Sequence, residues 1–366
     1  PYTTLFRSNF YNYFMDEIFY DVVDLLKALI STPSVSREEQ AAADIIENFL
    51  KARGCTTQRC GNNVWTIAPG YSHERPTLLL NSHIDTVRPV DGWTRNPFSP
   101  DDDGERIYGL GSNDAGASVV SLTAAFLLLS QRQQRYNLVF LASCEEEISG
   151  KGGIEAVLPL LPKIDVALVG EPTGMHPAVA EKGLMVLDGE IAGKSGHAAR
   201  NEGENAIYKA LPMIERLRSL SFPLTSAHLG PVKISVTQIS AGTQHNVVPD
   251  MCRIVVDVRT TDAYTNEQTL EMIRQAVPFC KLTPRSVRLR PSGISEQHPI
   301  VRRLVIAGRK PFGSPTLSDQ ALMPFPSLKI GPGDSARSHT ADEYITYDEI
   351  REAIQIYFTT LDGLAL

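Results

Sequence analysis

The chain has 366 residues, more than one compact core usually organises, so two domains are expected. Hydrophobic residues make up 42% and charged residues 21%, the balance of an ordinary globular protein. A net charge of -7 argues against a nucleic-acid partner or an anionic membrane surface, both of which need a basic face. No apolar run approaches the roughly 20 residues that span a bilayer.

Residues 1–14 (PYTTLFRSNFYNYF) have no basic start, no continuous apolar stretch and no small-residue cleavage site, so they do not read as a secretory signal. Met15 before an amphipathic helix reads as the natural start, which makes residues 1–14 a non-native extension. Over residues 16–30, Ile18, Phe19, Val22, Val23, Leu26, Leu29 and Ile30 fall at helical spacing. Ser36-x-x-Glu39 reads as a capping box that opens a second helix ending near Gly54. Short apolar runs follow at 62–68, 77–82, 137–143 and 164–169, with helical stretches at 115–131 and 152–161. Strands alternating with helices imply an α/β fold with a mostly parallel sheet covered on both faces.

The texture changes after residue 180. Strands at 184–192, 232–239, 252–260 and 286–290 and helices at 204–219 and 265–277 give the order β-α-β-β-α-β of a ferredoxin-like sandwich. Residues 180–292 are therefore expected to be a domain inserted into a catalytic domain made of 15–179 and 293–366. A final helix is expected at 347–361. The five cysteines, Cys55, Cys60, Cys144, Cys252 and Cys280, are scattered and odd in number, which suits free thiols in a reducing, cytoplasmic setting.

Chemistry gathers at strand ends. The run Leu79-Leu80-Asn81-Ser82-His83-Ile84-Asp85 brings an imidazole to the carboxyl edge of the sheet, where open α/β folds build their sites. Asp85 is placed to take the ring's other N–H. Gly109-Leu110-Gly111-Ser112-Asn113-Asp114 precedes a helix, but a carboxylate stands where a dinucleotide fingerprint has its third glycine, which suits a cation rather than a phosphate. Glu145-Glu146-Glu147 follows the strand at 137–143, and Glu171 follows the strand at 164–169. Adjacent acids repel unless solvent or a cation relieves them. Ser338-His339 comes after a Gly-Pro-Gly turn at 331–333. Taken singly, each of these is weak. Together, His83, Asp114, Glu147, Glu171 and His339 make a ligand set for two zinc-like ions that share one carboxylate.

These residues resemble the di-zinc aminoacylase and carboxypeptidase family that includes acetylornithine deacetylase and succinyl-diaminopimelate desuccinylase. The resemblance runs from about Asp16 to the C-terminus. It includes Ser195-Gly196-His197-Ala198, Asn246-Val247-Val248-Pro249 and Asp257-Val258-Arg259 as well as the motifs above. It implies that His83 and Glu171 hold one divalent ion, zinc or cobalt, and that Glu147 and His339 hold the other, with Asp114 bridging. It further implies Glu146 as general base, Asp85 as orienter of His83, and His197 as oxyanion donor to the partner subunit of a homodimer built through 180–292. Asn246 and Arg259 would contact the substrate, a small N-acyl amino acid such as N-acetyl- or N-succinyl-L-ornithine in arginine synthesis. Succinyl-diaminopimelate and dipeptides are the alternatives. The family's Asp-Met-Lys-Gly stands here as Asp114-Ala115-Gly116-Ala117, which marks a divergent subgroup. An inactive relative serving as a binding protein would have lost ligands or base, and all six are present. A serine hydrolase would show a Gly-x-Ser-x-Gly elbow, which Gly111-Ser112-Asn113 does not complete.

Overall fold

A computed structural model describes residues 2–366, with side chains from Asp16 onward. Residues 1–14, expected to be a non-native extension, lie outside the residues whose side chains are described. The apolar runs form strands. Among the described residues the central sheet has nine strands, in the order Thr57–Cys60, Asn63–Ile67, Asn137–Ser143, Thr77–His83, Val166–Val169, Ser327–Lys329, Ala178–Glu181, Ser292–Gly293, with Phe312–Ser314 also paired to Ala178–Glu181. Its middle is parallel: Leu80 pairs with Phe140 on one side and Leu168 on the other, and Leu328 pairs with Leu168. Both ends are antiparallel. Every residue of Thr77–His83 and Asn137–Ser143 is buried, which is why these strands read as unbroken apolar runs rather than as alternation.

Helix Ala117–Ser130 is apolar on all sides and buried from Ala117 to Leu129. It packs against the helices Tyr2–Ile30 and Tyr347–Leu361 and against the sheet. A helix with no polar face must be covered all round, and this one is.

The chain divides into two units. One holds Pro1–Val179, Ile294–Phe312 and Met323–Leu366; the other holds Ala180–Gly293 and Gly313–Leu322. The second unit has a four-stranded antiparallel sheet in the order Lys233–Ala241, Met251–Thr260, Gly183–Ala192, Lys281–Pro284. That is the ferredoxin-like order. Met185, Leu187 and Ile191 alternate onto a buried face shared with Ala210 and Leu217 of helix Ala206–Ser219 and Ile273 of helix Asn266–Ala276. Asn205 caps the first of these helices, and a Thr265–Gln268 capping box opens the second.

Three expectations are corrected. The fourth strand of this sheet is Lys281–Pro284, not 286–290. The stretch 152–161 forms only a short helix, Ile154–Val157, and a 3-10 turn, Leu158–Leu160, because Pro159 cannot continue the α-helical ladder. Ser36 and Glu39 do not form a capping box. Helix Gln40–Ala52 has no side-chain cap, and both residues bond elsewhere, as described below. All five cysteines are free.

Candidate metal centre

Parallel strands side by side end at one edge, and that edge collects the polar residues. His83 ends its strand in register with Ser143, which leads into Glu145–Glu147. On the other side Asn81 pairs with Val169, which leads into Glu171. The His83 ring is 2% exposed at the residue level. Its Nε2 lies 3.2 Å from Asp114 Oδ1, 3.6 Å from Glu171 Oε1 and 3.9 Å from Glu146 Oε2. The Nε2 of His339 lies 3.1 Å from Glu147 Oε2 and 3.7 Å from Asp114 Oδ2. Asp114 thus offers one carboxylate oxygen to each imidazole. Donor atoms of His83, Glu146 and Glu171 fall within 4.8 Å of one another, as do those of His83, Asp114 and Glu147.

Asp85 meets the His83 ring with its backbone as well as its carboxylate. The Nδ1 of His83 is 2.9 Å from the backbone carbonyl of Asp85 and 3.5 Å from its carboxylate. The carboxylate also accepts the N–H groups of Glu146 and Glu147, at 3.0 and 3.1 Å, and the Ser36 hydroxyl at 2.7 Å. Glu39 is fully buried and accepts the Glu145 N–H at 3.1 Å and the Asn62 amide at 2.9 Å. Two acids upstream therefore hold three consecutive N–H groups of the acidic loop. This explains why Ser36 and Glu39 are not available as a helix cap.

The Asp114 loop is held from the far end of the chain. Glu343 accepts N–H bonds from Gly111, Asn113 and Asp114 at 3.0, 2.8 and 2.8 Å. Asn113 exchanges two bonds with the backbone of Asp334, at 3.1 and 3.0 Å, which ties this loop to the one carrying His339. Between them Gly333 adopts φ 86, and a Cβ there would lie 2.1 Å from Asn113 Oδ1. Only glycine fits. Tyr357 donates to the Ile330 carbonyl at 2.7 Å and fixes the start of the His339 loop. The roles of Glu343, Glu39 and Asn113 have no local sign in the sequence, since each works through partners remote in the chain.

The charges are in conflict. Burial pushes Glu171 up to about 8 against the pull of His83. Burial also disfavours a charged His83, but the carboxylates of Glu146 and Glu171 and bonds to Asp114 and Asp85 outweigh it and hold its pKa well above the usual imidazole value. The bond to Glu147 raises His339 to about 9, helped by Asp114. Four carboxylates this close repel unless protons or cations intervene. Imidazole nitrogens and carboxylate oxygens with no thiolate suit zinc or cobalt, and a shared carboxylate suits two ions, so the residues fit a two-cation site.

Three candidate residues belong to the second unit. His197 and Asn246 are neighbours: His197 pairs with Val247, and Ala198 donates to the Asn246 carbonyl at 3.0 Å. Both are exposed. Arg259, half-buried on strand Met251–Thr260, bonds Asp257 through Nε at 2.9 Å and Nη2 at 3.2 Å. The structure groups His197 with Asn246 and leaves Arg259 on a separate strand.

The fold is shared with the Bacillus subtilis YXEP protein, a dinuclear metal binding peptidase of the M20 family (TM-score 0.73, 17% identity, covering 95% of this chain and 99% of that one). The fold is that of the metal-binding peptidases, and the site gathers imidazoles and carboxylates that could hold metal ions. More specifically, residues 79–363 match peptidase family M20/M25/M40, and the chain belongs to that family. Among its relatives, acetylornithine deacetylase of Klebsiella pneumoniae is 27% identical, covering 88% of this chain and 92% of that protein. Succinyl-diaminopimelate desuccinylase of Dinoroseobacter shibae is 30% identical, covering 69% and 72%.

Proposed function

We propose that this chain is a co-catalytic di-metal hydrolase that removes the acyl group from an N-acyl-L-amino acid, foremost N-acetyl- or N-succinyl-L-ornithine, releasing L-ornithine for arginine synthesis in the cytoplasm. The observation that carries the reading is the Asp114 carboxylate, set with one oxygen toward His83 and the other toward His339. In this reading His83 and Glu171 hold one ion, Glu147 and His339 the other, and Asp114 is shared. Divalent ions, when bound, lower the pKa of water and polarise an amide carbonyl.

The chain's own residues supply the rest. Glu146 takes the proton of the attacking water and passes it to the departing amine nitrogen. Its N–H is fixed by Asp85, so its side chain springs from a held backbone. His197, exposed on the second unit, donates to the developing oxyanion across a homodimer contact formed by 180–292; such a donor is typically worth ~10²–10³ in rate. Arg259, oriented by Asp257, and Asn246 receive the substrate carboxylate, for which a guanidinium fork is suited.

Succinyl-diaminopimelate is the second reading, favoured by the desuccinylase relative at 30% identity. A deacylation panel with zinc or cobalt added distinguishes them. It compares acetyl-ornithine, succinyl-ornithine, succinyl-diaminopimelate and dipeptides. Highest kcat/KM on an acyl-ornithine supports the first reading, and highest on succinyl-diaminopimelate overturns it. Activity that survives full removal of metal by a chelator discards the di-metal reading altogether.

A further inference from the structure

Glu343 has no place in that scheme. It is 2% exposed at the residue level, and its carboxylate bonds the main chain of the Asp114 loop. One of its oxygens accepts the N–H groups of Asn113 and Asp114, each at 2.8 Å, and the other accepts the N–H of Gly111 at 3.0 Å. Its own backbone carbonyl accepts the Gly109 N–H at 2.9 Å. Four main-chain donors of the loop ending at Asp114 therefore converge on one residue. Burial of a carboxylate beside the Asp114 carboxylate is costly unless those donors compensate it. The arrangement also links the candidate ligands, because Glu343 lies four positions after His339 and grips the loop of Asp114.

We infer that Glu343 is a positioning residue: it sets the backbone of Asp114 so that the two carboxylate oxygens face separate imidazoles, and through this it sets the affinity of the site for its second divalent ion. The inference rests on the two-ion reading above. Glutamine is the informative replacement. It keeps the shape of the side chain and one acceptor oxygen, but puts an amide N–H₂ against at least one backbone N–H. Outer residues that orient metal ligands are typically worth 10–100-fold in metal affinity.

The experiment titrates metal-free wild type, Glu343→Gln and Glu181→Gln with zinc and with cobalt, following bound metal by calorimetry and the cobalt ligand-field spectrum. Glu181 is a fully buried carboxylate of the second unit that accepts bonds from Ser318 and Gln320, so its replacement makes the same chemical change without touching a candidate ligand. Glu343→Gln is expected to weaken the second ion 10–100-fold and to change the cobalt spectrum, while Glu181→Gln leaves both as in wild type. Equal affinity and an unchanged spectrum in Glu343→Gln overturn the inference, as does an equal loss in Glu181→Gln. If wild type binds fewer than two ions, the two-ion reading itself has failed. A measurement on wild type covers a Glu343→Gln protein that does not fold: the amides of Gly111, Asn113 and Asp114 should exchange slowly with solvent in the metal-free protein, and fast exchange at these amides overturns the inference.

Discussion

Replacing Asp85 by asparagine tests whether this carboxylate acts on the acidic loop or on the His83 ring. In the structure it takes the N–H groups of Glu146 and Glu147 and the Ser36 hydroxyl, while the ring's closest partner is the Asp85 backbone carbonyl. Asparagine keeps one acceptor oxygen. Its N–H₂ must then face the other backbone N–H, and the Ser36 hydroxyl can turn to accept from it. One buried N–H is left unpaired, a loss of roughly 1–3 kcal/mol. Alanine leaves both unpaired, and the expected loss is about twice that. A loop no longer held shifts Glu146, and a misplacement of about 1 Å costs on the order of 10² in rate. The backbone carbonyl that bonds His83 survives either change. Asp85→Asn is therefore expected to bind both ions within a few-fold of wild type, to lower the urea midpoint of the metal-free protein, and to lose about 10² in kcat. Wild-type stability and turnover in Asp85→Asn would refute the loop-holding role. Loss of metal with undiminished turnover per bound ion would return the role to the ring.

Three other outcomes are expected. Glu146→Ala should retain both ions by elemental analysis and lose nearly all turnover; loss of an ion instead would mean that Glu146 and Glu147 exchange roles. Mixed with that variant, an inactive His197→Ala should regain activity, because a heterodimer can assemble one intact composite site, and failure to complement counts against donation across a dimer. Gly333→Ala should destabilise the protein by more than the ~1 kcal/mol of an ordinary glycine replacement, since its Cβ would meet Asn113 Oδ1, and should weaken metal binding through the His339 loop. Unchanged melting temperature and affinity would show that the loop has another way to fit.

The sequence by itself determined most of the frame. Buried parallel strands must be apolar along their whole length, so Leu78–Leu80 and Leu138–Leu141 announced themselves, and polar residues directly after them had to fall at one edge. That His83, Glu147 and Glu171 come together at this edge was legible for that reason, and that Asp114 and His339 join them through the glycine-marked loops before them. The tertiary structure decided what holds these residues in place. Glu39 looked like half of a helix cap because a local pattern is blind to a partner more than a hundred residues away; it holds the Glu145 N–H instead. Glu343 grips a loop some 230 residues earlier, and no spacing rule reaches that far. The return of Gly313–Leu322 to the second unit follows from the same cause, since Ser318 and Gln320 satisfy the buried Glu181 carboxylate that strand alternation alone had no means to pair. Local sequence carries periodicity and chain punctuation. Satisfaction of buried polar groups is a property of the folded whole, and here it settled how the candidate ligands are aimed.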